Sequence, residues 1–270
     1  MNSVPSLGLV INTWNQADYL GRVLKAVAAQ TSLPQEVLLA DDGSQDSTAD
    51  VFKRFTESSA IPCIHVRQEH QGFRRSRILN QAIARATSQY LVFLDGDTVP
   101  HPQFISDHRQ LACANAFVQG HRALLKQRAS AWFGSGAFNT ERRRALWSGQ
   151  MQGLKHAYRW PRPLKRRRFD LRGVRGCNLA IWREHLLQVN GYNEAFVGWG
   201  REDSELAVRL INCGIHRLDV RGWAVCFHLW HPPASRTSLS SNDALLADAQ
   251  AGKLTRCDAG VDQYLHRVAQ

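Results

Sequence analysis

Four short groupings of polar residues in this 270-residue chain are spaced to do chemistry: Asp41 and Asp42 in LLADDGSQDST, Asp95 and Asp97 in YLVFLDGDTVP, Glu202 and Asp203 in GWGREDSEL, and His228 and His231 in FHLWHPP. Two carboxylates at i and i+2, with only Gly96 between them, can reach one ligand directly or through water. Their paired charge favours a hard divalent cation such as Mn2+ or Mg2+, whose remaining positions a diphosphate can fill. Taken alone, Asp-Gly-Asp is equally an ordinary solvated turn. Asp41 and Asp42 repeat the device and can accept from a base N–H or a ribose hydroxyl; alternatively they and Asp46 offset the dipole of the helix that follows. Glu202 and Asp203 stand behind a Gly-Trp-Gly loop. A carboxylate there can take the proton of an acceptor hydroxyl while Trp199 offers a flat apolar face to a sugar, or Asp203 can simply cap a helix. Neutral imidazole is a ligand that Mn2+ accepts, so His228 and His231, beside a Pro-Pro turn, are candidates for a metal shell; a single His more often packs in a core.

The elements that must position these groups are legible from periodicity. LGLVIN (7–12), EVLLA, IPCIHV and YLVFL read as strands, alternating with helices over 17–30, from Thr48 onward with Ser47 as a possible cap, and over about 75–86. Leu20, Val23, Leu24 and Val27 share one face of the first helix, and Ile78, Leu79, Ala82 and Ile83 one face of the third. Such alternation marks βαβ units on a parallel sheet, and the acids fall at the strands' carboxyl ends, where the ligand crevice of an open sheet lies. Pro102 suits the first turn of another helix reaching about Ala114, and AFVQG reads as a strand. Further on, CNLAIW reads as a strand, REHLLQV as a short helix, REDSELAVRLINCG as a helix stopped by Gly214, and 242–251 as an amphipathic helix.

Bulk composition bounds the rest. With 44% hydrophobic residues the chain can bury a substantial core. No run approaches the roughly 20 apolar residues of a membrane span, and MNSVPSLGLVINTW lacks the order of a signal peptide, so the cytoplasm is the expected location. Six scattered cysteines without a CxxC pair indicate neither a structural zinc site nor a disulfide framework, and most are expected to be buried. The formal net charge of +11 is concentrated: residues 121–175 hold fifteen Lys or Arg against Glu141 and Asp170, hence +13, which leaves −2 for the remainder. That segment also carries Trp132, Phe133, Phe138, Trp147, Trp160 and Phe169. Basic and aromatic residues together suit a bilayer surface or an anionic glycolipid, the favoured readings; a plain solvated surface comes next and nucleic acid last.

In order along the chain, VINTWNQADYL, LLADDGSQDST, HQGFRRSRILNQAI, YLVFLDGDTVP and GWGREDSEL resemble the inverting family 2 glycosyltransferases, and the last also resembles a segment shared by the β-1,4-galactosyltransferases and chondroitin polymerases. The resemblance covers about residues 5–233. It implies an α/β fold of the GT-A type, a Rossmann-like, mostly parallel sheet flanked by helices with an elaborated acceptor-side C-terminal region. It divides the chain into a nucleotide-sugar-binding half (1–120), a basic aromatic insertion (121–175), an acceptor and catalytic half of the same domain (176–233) and a helical tail (234–270). It implies Asp41, Asp42 and Thr13 at the base and ribose, Asp95 and Asp97 as the DxD motif with Asp97 the main metal ligand, and Asp203 as catalytic base with Glu202 orienting acceptor or metal. His228 matches the family's metal histidine best, with His231 competing. The usual Arg-Asn pair appears as Leu79-Asn80, leaving Arg74, Arg75 or Arg77 as substitutes, of which Arg77 is assigned to the donor. Asn178 is expected on the donor side and Trp199 and Trp230 on the acceptor side of the pocket.

The expected activity is transfer of a sugar from a nucleotide-diphosphate donor, a UDP-sugar above all, to a cell-surface glycan or lipopolysaccharide-type acceptor. Mn2+ or Mg2+ is the cofactor, and residues 121–175 make peripheral contact at the inner face of the plasma membrane. A nucleotidyltransferase or diphosphate hydrolase is the competing enzyme reading, although no Walker-type phosphate loop is present. A basic membrane- or nucleic-acid-binding module is the non-enzymatic alternative, and the chain shows no DNA-binding helix pair or RNA-binding aromatic sheet motif.

Overall fold

The computed structural model describes residues 4–265. The first half is β1 (Leu7–Thr13), α1 (Ala17–Ala28), β2 (Glu36–Asp41), α2 (Thr48–Ser58), β3 (Cys63–Arg67), α3 (Arg75–Arg85), β4 (Tyr90–Asp95), β5 (Thr98–Pro100), α4 (Phe104–Leu111) and β6 (Ala116–Gln119). Next come β7 (Arg122–Leu125), α5 (Gln127–Ser130), α6 (Phe138–Trp147), β8 (Met151–Gln152), β9 (Leu164–Arg168), β10 (Asn178–Trp182), α7 (Arg183–Gln188), α8 (Glu202–Asn212) and β11 (His216–Arg221). β12 (Cys226–His228), α9 (Leu239–Ala251) and α10 (Asp262–Leu265) complete the chain.

The main sheet has eight strands in the order β3-β2-β1-β4-β10-β6-β11-β9. It is parallel except at β10, which runs against β4 and β6, and at β9, which runs against β11. Strands β1, β2 and β4 are uninterrupted apolar runs because both faces of the sheet are covered. One face packs Leu9, Ile11 and Leu39 against Leu20 and Val23 of α1 and Phe52 of α2. The other packs Val10, Leu38 and Phe93 against Ile78 and Leu79 of α3 and Leu206 of α8. Each fully buried Leu or Ile contributes about 1.5–3 kcal/mol.

A second sheet, β5-β12-β7-β8, lies beside the first. Its register positions the chemistry: β12 pairs with β5 so that His228 faces Thr98, the residue after Asp97, and pairs with β7 so that Cys226 faces Arg122. The basic segment 121–175, read from sequence as an insertion, supplies β7 and β8 to this sheet and β9 to the edge of the large one.

Several local expectations are corrected. Asp46, not Ser47, serves the start of α2: its Oδ1 accepts the Thr48 N–H at 3.0 Å and its Oδ2 the Ala17 N–H at 3.0 Å, which ties the starts of α1 and α2 together. α4 begins at Phe104 rather than Pro102 and ends at Leu111, because Ala112 (ψ 122°) leaves the helical region. α9 buries only Asn242 and Ala249, so it lacks the apolar stripe expected over 242–251 and is held by polar contacts instead. Cys177, Cys226 and Cys257 are buried, but Cys113 is exposed and Cys63 and Cys213 are half-buried. No helix among the described residues is long and apolar enough to cross a membrane.

Candidate active site

Asp41 closes β2 beside Thr13 of β1, and Asp95 closes β4 beside Asn12, so the register alone lines these residues along one edge of the sheet. Every carboxylate oxygen of the first acid pair has a protein donor. Asp41 Oδ1 accepts the Ser44 N–H at 2.8 Å and Oδ2 lies 3.0 Å from His65 Nε2. Asp42 accepts from Gln68 Nε2 at 2.5 Å and from the Arg74 N–H at 3.0 Å. Burial disfavours the Asp41 anion, but the hydrogen bonds from His65 and Ser44 outweigh it and hold the carboxyl below its ordinary range. For Asp42 burial wins over Gln68 and Arg74, and the carboxyl is raised. Trp14, 45% exposed, stacks on His70 with ring centroids 4.8 Å apart and planes 13° apart. The His70 Nδ1 lies 2.9 Å from the Asp42 carbonyl oxygen, so this flat pair adjoins the acids.

The second group is knit by one guanidinium. Arg75, at the start of α3 and buried, donates from Nη1 to Asp203 Oδ1 at 2.9 Å and Glu202 Oε1 at 3.1 Å, and from Nη2 to Asp95 Oδ1 at 3.2 Å. Asp203 Oδ2 also accepts the Gly176 N–H at 2.7 Å. A Cβ on Gly176 would collide with both Arg75 and Asp203, so only glycine lets the backbone approach this closely. Asp203 therefore does not cap α8. The residue before that helix, Arg201, sits at φ 78°, in the left-handed region that favours glycine, and strain of this kind gathers at functional sites. Burial first, and then the neighbouring Asp203 charge, push Glu202 up to about 7 against the pull of Arg75. Asp95 is likewise raised by burial and by Asp97, with Arg75 opposing.

Asp97, His228 and His231 form the third group, each offering a ligand atom within 4.8 Å of the others. His231 Nε2 lies 3.0 Å from Asp97 Oδ2, and His228 Nε2 lies 3.6 Å from Oδ1. The Leu229 N–H donates to the Asp97 carbonyl at 2.8 Å, fixing this register. Burial works against the Asp97 anion, yet the His231 hydrogen bond and the fields of both histidines hold its carboxyl below the ordinary range. Burial lowers His228 to about 4, so it is neutral with a free lone pair, whereas the hydrogen bond to Asp97 raises His231. One ionised carboxylate with two imidazoles is a donor set that fits a divalent cation.

The remaining expected residues are placed unequally. Thr13 Oγ1 is buried without a hydrogen-bond partner beside Gly96, and Asn12 Oδ1 and Glu202 Oε2 are orphaned in the same way. Asn12 and Thr13 end β1 beside Asp95 and Asp41, so a ligand seated at that edge is within reach of polar atoms whose hydrogen bonding the protein leaves incomplete. Trp199 and Trp230 are 41% and 39% exposed. The guanidinium of Arg236 lies 5.5 Å from the Trp199 ring centroid, and the Trp230 carbonyl accepts from the Tyr19 hydroxyl at 2.8 Å. Two assignments are displaced. Arg77 lies by Tyr264 of α10, because two residues along a helix point to a different side, and Arg75 takes the place among the acids. Asn178 is fully buried: its amide meets His108 Nε2 at 2.9 Å, the His121 carbonyl at 3.0 Å and the Ala224 carbonyl at 2.7 Å, so it fastens the two sheets and has no atom free for a donor. Trp14, His70 and the central position of Arg75 are not readable from spacing, since each depends on a loop or helix rotation.

The profile of glycosyl transferase family 2 matches residues 9–176, and one described as the N-terminal domain of galactosyltransferase matches residues 162–231. Chondroitin synthase of Escherichia coli is 24% identical over 83% of this chain and 35% of its own length. Validoxylamine A glucosyltransferase of Streptomyces hygroscopicus subsp. limoneus is 29% identical over 78% of this chain and 49% of its own. The chain thus spans about a third to a half of these relatives. Among solved structures, the mannosyltransferase PcManGT of Pyrobaculum calidifontis, in complex with GDP-Man and Mn2+, aligns with a TM-score of 0.59 at 18% identity over 99% of this chain and 76% of that one. S. aureus TarS 1-349 in complex with UDP gives 0.63 at 13% identity over 98% and 70%. With more than half its length matched by the first profile and with the sheet architecture of these structures, the chain has the GT-A fold and belongs to glycosyl transferase family 2.

Proposed function

We propose that the chain transfers a sugar, with inversion, from a nucleotide-diphosphate donor, a UDP-sugar above all, to a hydroxyl of a cell-surface glycan or lipopolysaccharide-type acceptor, using Mn2+ or Mg2+. One observation carries this reading: a carboxylate placed to take a proton, Asp203, and a ligand set for a cation, Asp97 with His228 and His231, flank Asp95 and are joined to it through Arg75 and Gly96. Asp41, Asp42 and the orphaned Thr13 hydroxyl receive the base and ribose, and the Trp14–His70 pair offers a stacking face. Asp97, His228 and His231 would hold a divalent cation, which would supply positive charge to the departing diphosphate. Asp203, fixed by Arg75 and Gly176 yet 17% exposed at its side chain, takes the acceptor hydroxyl proton. The acceptor oxygen attacks the anomeric carbon from the face opposite the diphosphate. The bond to the diphosphate oxygen breaks with its electron pair on that oxygen, and the configuration inverts. Trp199 and Trp230 flank the acceptor. Trp147 and Phe169, 91% and 63% exposed in the basic segment, support a peripheral contact with the inner face of the plasma membrane.

Asp203→Asn tests the reading: transfer falls about 10²–10⁴-fold, while a thermal-shift titration shows the donor still binding. Undiminished transfer excludes Asp203 as the base. The same titration, run with UDP-, GDP- and dTDP-sugars with and without Mn2+, identifies the donor, because a ligand of the folded state raises its stability.

A further inference from the structure

A nucleotide-diphosphate donor brings negative charge into a space that already holds Asp95, Asp97, Glu202 and Asp203. Arg75 is matched by three of these acids and has no charge to spare. A second guanidinium reaches the same space from the small sheet. Arg122, the first residue of β7, faces Cys226 in the register that carries His228 on β12. Cys226 and His228 are two residues apart on β12 and so share a face, which puts Arg122 on the side of the small sheet that His228 occupies. Its Nη1 rests 2.6 Å from Cys177 Sγ, a neutral and weak acceptor, and its buried Nε has no partner. Among the described residues no carboxylate pairs with it.

Arg209 shows what a structural arginine looks like in this chain. Its guanidinium meets both oxygens of Glu205, at 2.8 and 2.6 Å, and the carbonyls of Val189 and Gly191, at 2.5 and 2.8 Å. Arg122 is half-buried rather than fully enclosed, and a guanidinium partly withdrawn from water still wants an anion or a set of oxygen acceptors, of which Arg122 has neither among the described residues.

We infer that the missing partner of Arg122 is the donor's diphosphate, to which its guanidinium N–H groups donate beside Asp97 and His228. The inference rests on the transferase reading and adds to it a residue that touches the leaving group. Arg122 moves no proton. It keeps its charge throughout, and the electron pair released when the glycosyl C–O bond breaks settles on a phosphate oxygen within its reach.

The test compares nucleoside diphosphates with monophosphates. UDP, UMP, GDP and GMP are titrated by calorimetry in the presence of Mn2+ into the wild-type chain, Arg122→Met and Arg122→Lys. The wild type prefers one diphosphate over its monophosphate. Arg122→Met weakens that diphosphate about 10- to 100-fold and leaves the monophosphate unchanged, the loss expected for a hydrogen bond to a charged group. Arg122→Lys, which keeps the charge, recovers part of the preference. Undiminished diphosphate binding by Arg122→Met overturns the inference alone. Equal weakening of mono- and diphosphate, with a lowered melting temperature, shows that Arg122 only supports Cys177 and also overturns it. A wild-type chain that binds no nucleoside diphosphate overturns this inference and the transferase reading together.

Discussion

Asp41–Asp42 and Asp95–Asp97 begin from the same sequence device, a buried strand ending in acids, and sit at the same edge of one sheet with β1 between them. Their surroundings differ. All four oxygens of the first pair are met by protein donors, from Ser44, His65, Gln68 and Arg74. The second pair joins Glu202 and Asp203 in a group of four acids, where Arg75 is the bound cation and Glu202 keeps an unpartnered Oε2. The difference teaches that an acid pair is defined by what the rest of the fold supplies to it. The first is an acceptor surface already oriented by the protein, with one lone pair on each oxygen left for a ligand's donors, and the second is an unbalanced charge that calls for a ligand.

The contrast can be broken most sharply by removing metal. Chelation is expected to reduce transfer by about 10²–10³-fold, with recovery on adding Mn2+, and to leave nucleoside monophosphate binding at Asp41 and Asp42 intact. Loss of both together would merge the two sites into one.

Proton linkage sharpens it next. Glu202 is raised from 4.5 to about 7, so between those values the native chain binds more protons than the unfolded one. Stability of the metal-free chain therefore falls as pH rises through that window, by about 3 kcal/mol for Glu202, and Glu202→Gln flattens the slope in urea melts. Asp41 behaves in the opposite sense. Its folded value is lowered, so its contribution is present above its unfolded value of 3.8 and is lost as pH falls through the folded one.

A smaller effect comes from truncation. Asp41→Ala strands the His65 and Ser44 donors and costs about 1–3 kcal/mol, whereas Asp95→Asn relieves a crowded, half-buried acid and is expected to raise the denaturation midpoint while lowering transfer. The smallest effect separates the two arginines of α3: Arg77→Ala changes stability by less than about 0.5 kcal/mol and leaves transfer within about twofold, whereas Arg75→Met releases three acids at once.

The first hundred residues were almost wholly legible, because the apolar runs of β1, β2 and β4 and the faces of α1 and α3 follow simple periods. β9 and β11, LKRRR and HRLDVR, escaped notice because one is almost wholly basic and the other holds only two apolar residues, Leu218 and Val220, while their charges are answered across the strands, as Arg168 is by Asp219. Sequence spacing brought His228 and His231 forward as rivals, and the structure gathers both on Asp97. It took Arg77 over Arg74 and Arg75, where helix rotation instead puts Arg75 among the acids, and it could not see that Asn178 is consumed by His108, His121 and Ala224. It passed over Arg122 for the same reason: β7 matters only through its pairing with β12.

That pairing also sets an order of events during synthesis. β5 emerges directly behind Asp97, but its partner β12 is made only after the basic segment and the whole of α8. A nascent chain can therefore fold the edge formed by β1, β2 and β4 early, as N-terminal parts commonly do, while carrying an acid pair with no histidines to answer it. The growing polypeptide stays without the Asp97, His228 and His231 cluster until the ribosome has passed His231, and premature termination short of His228 leaves Asp97 with neither imidazole.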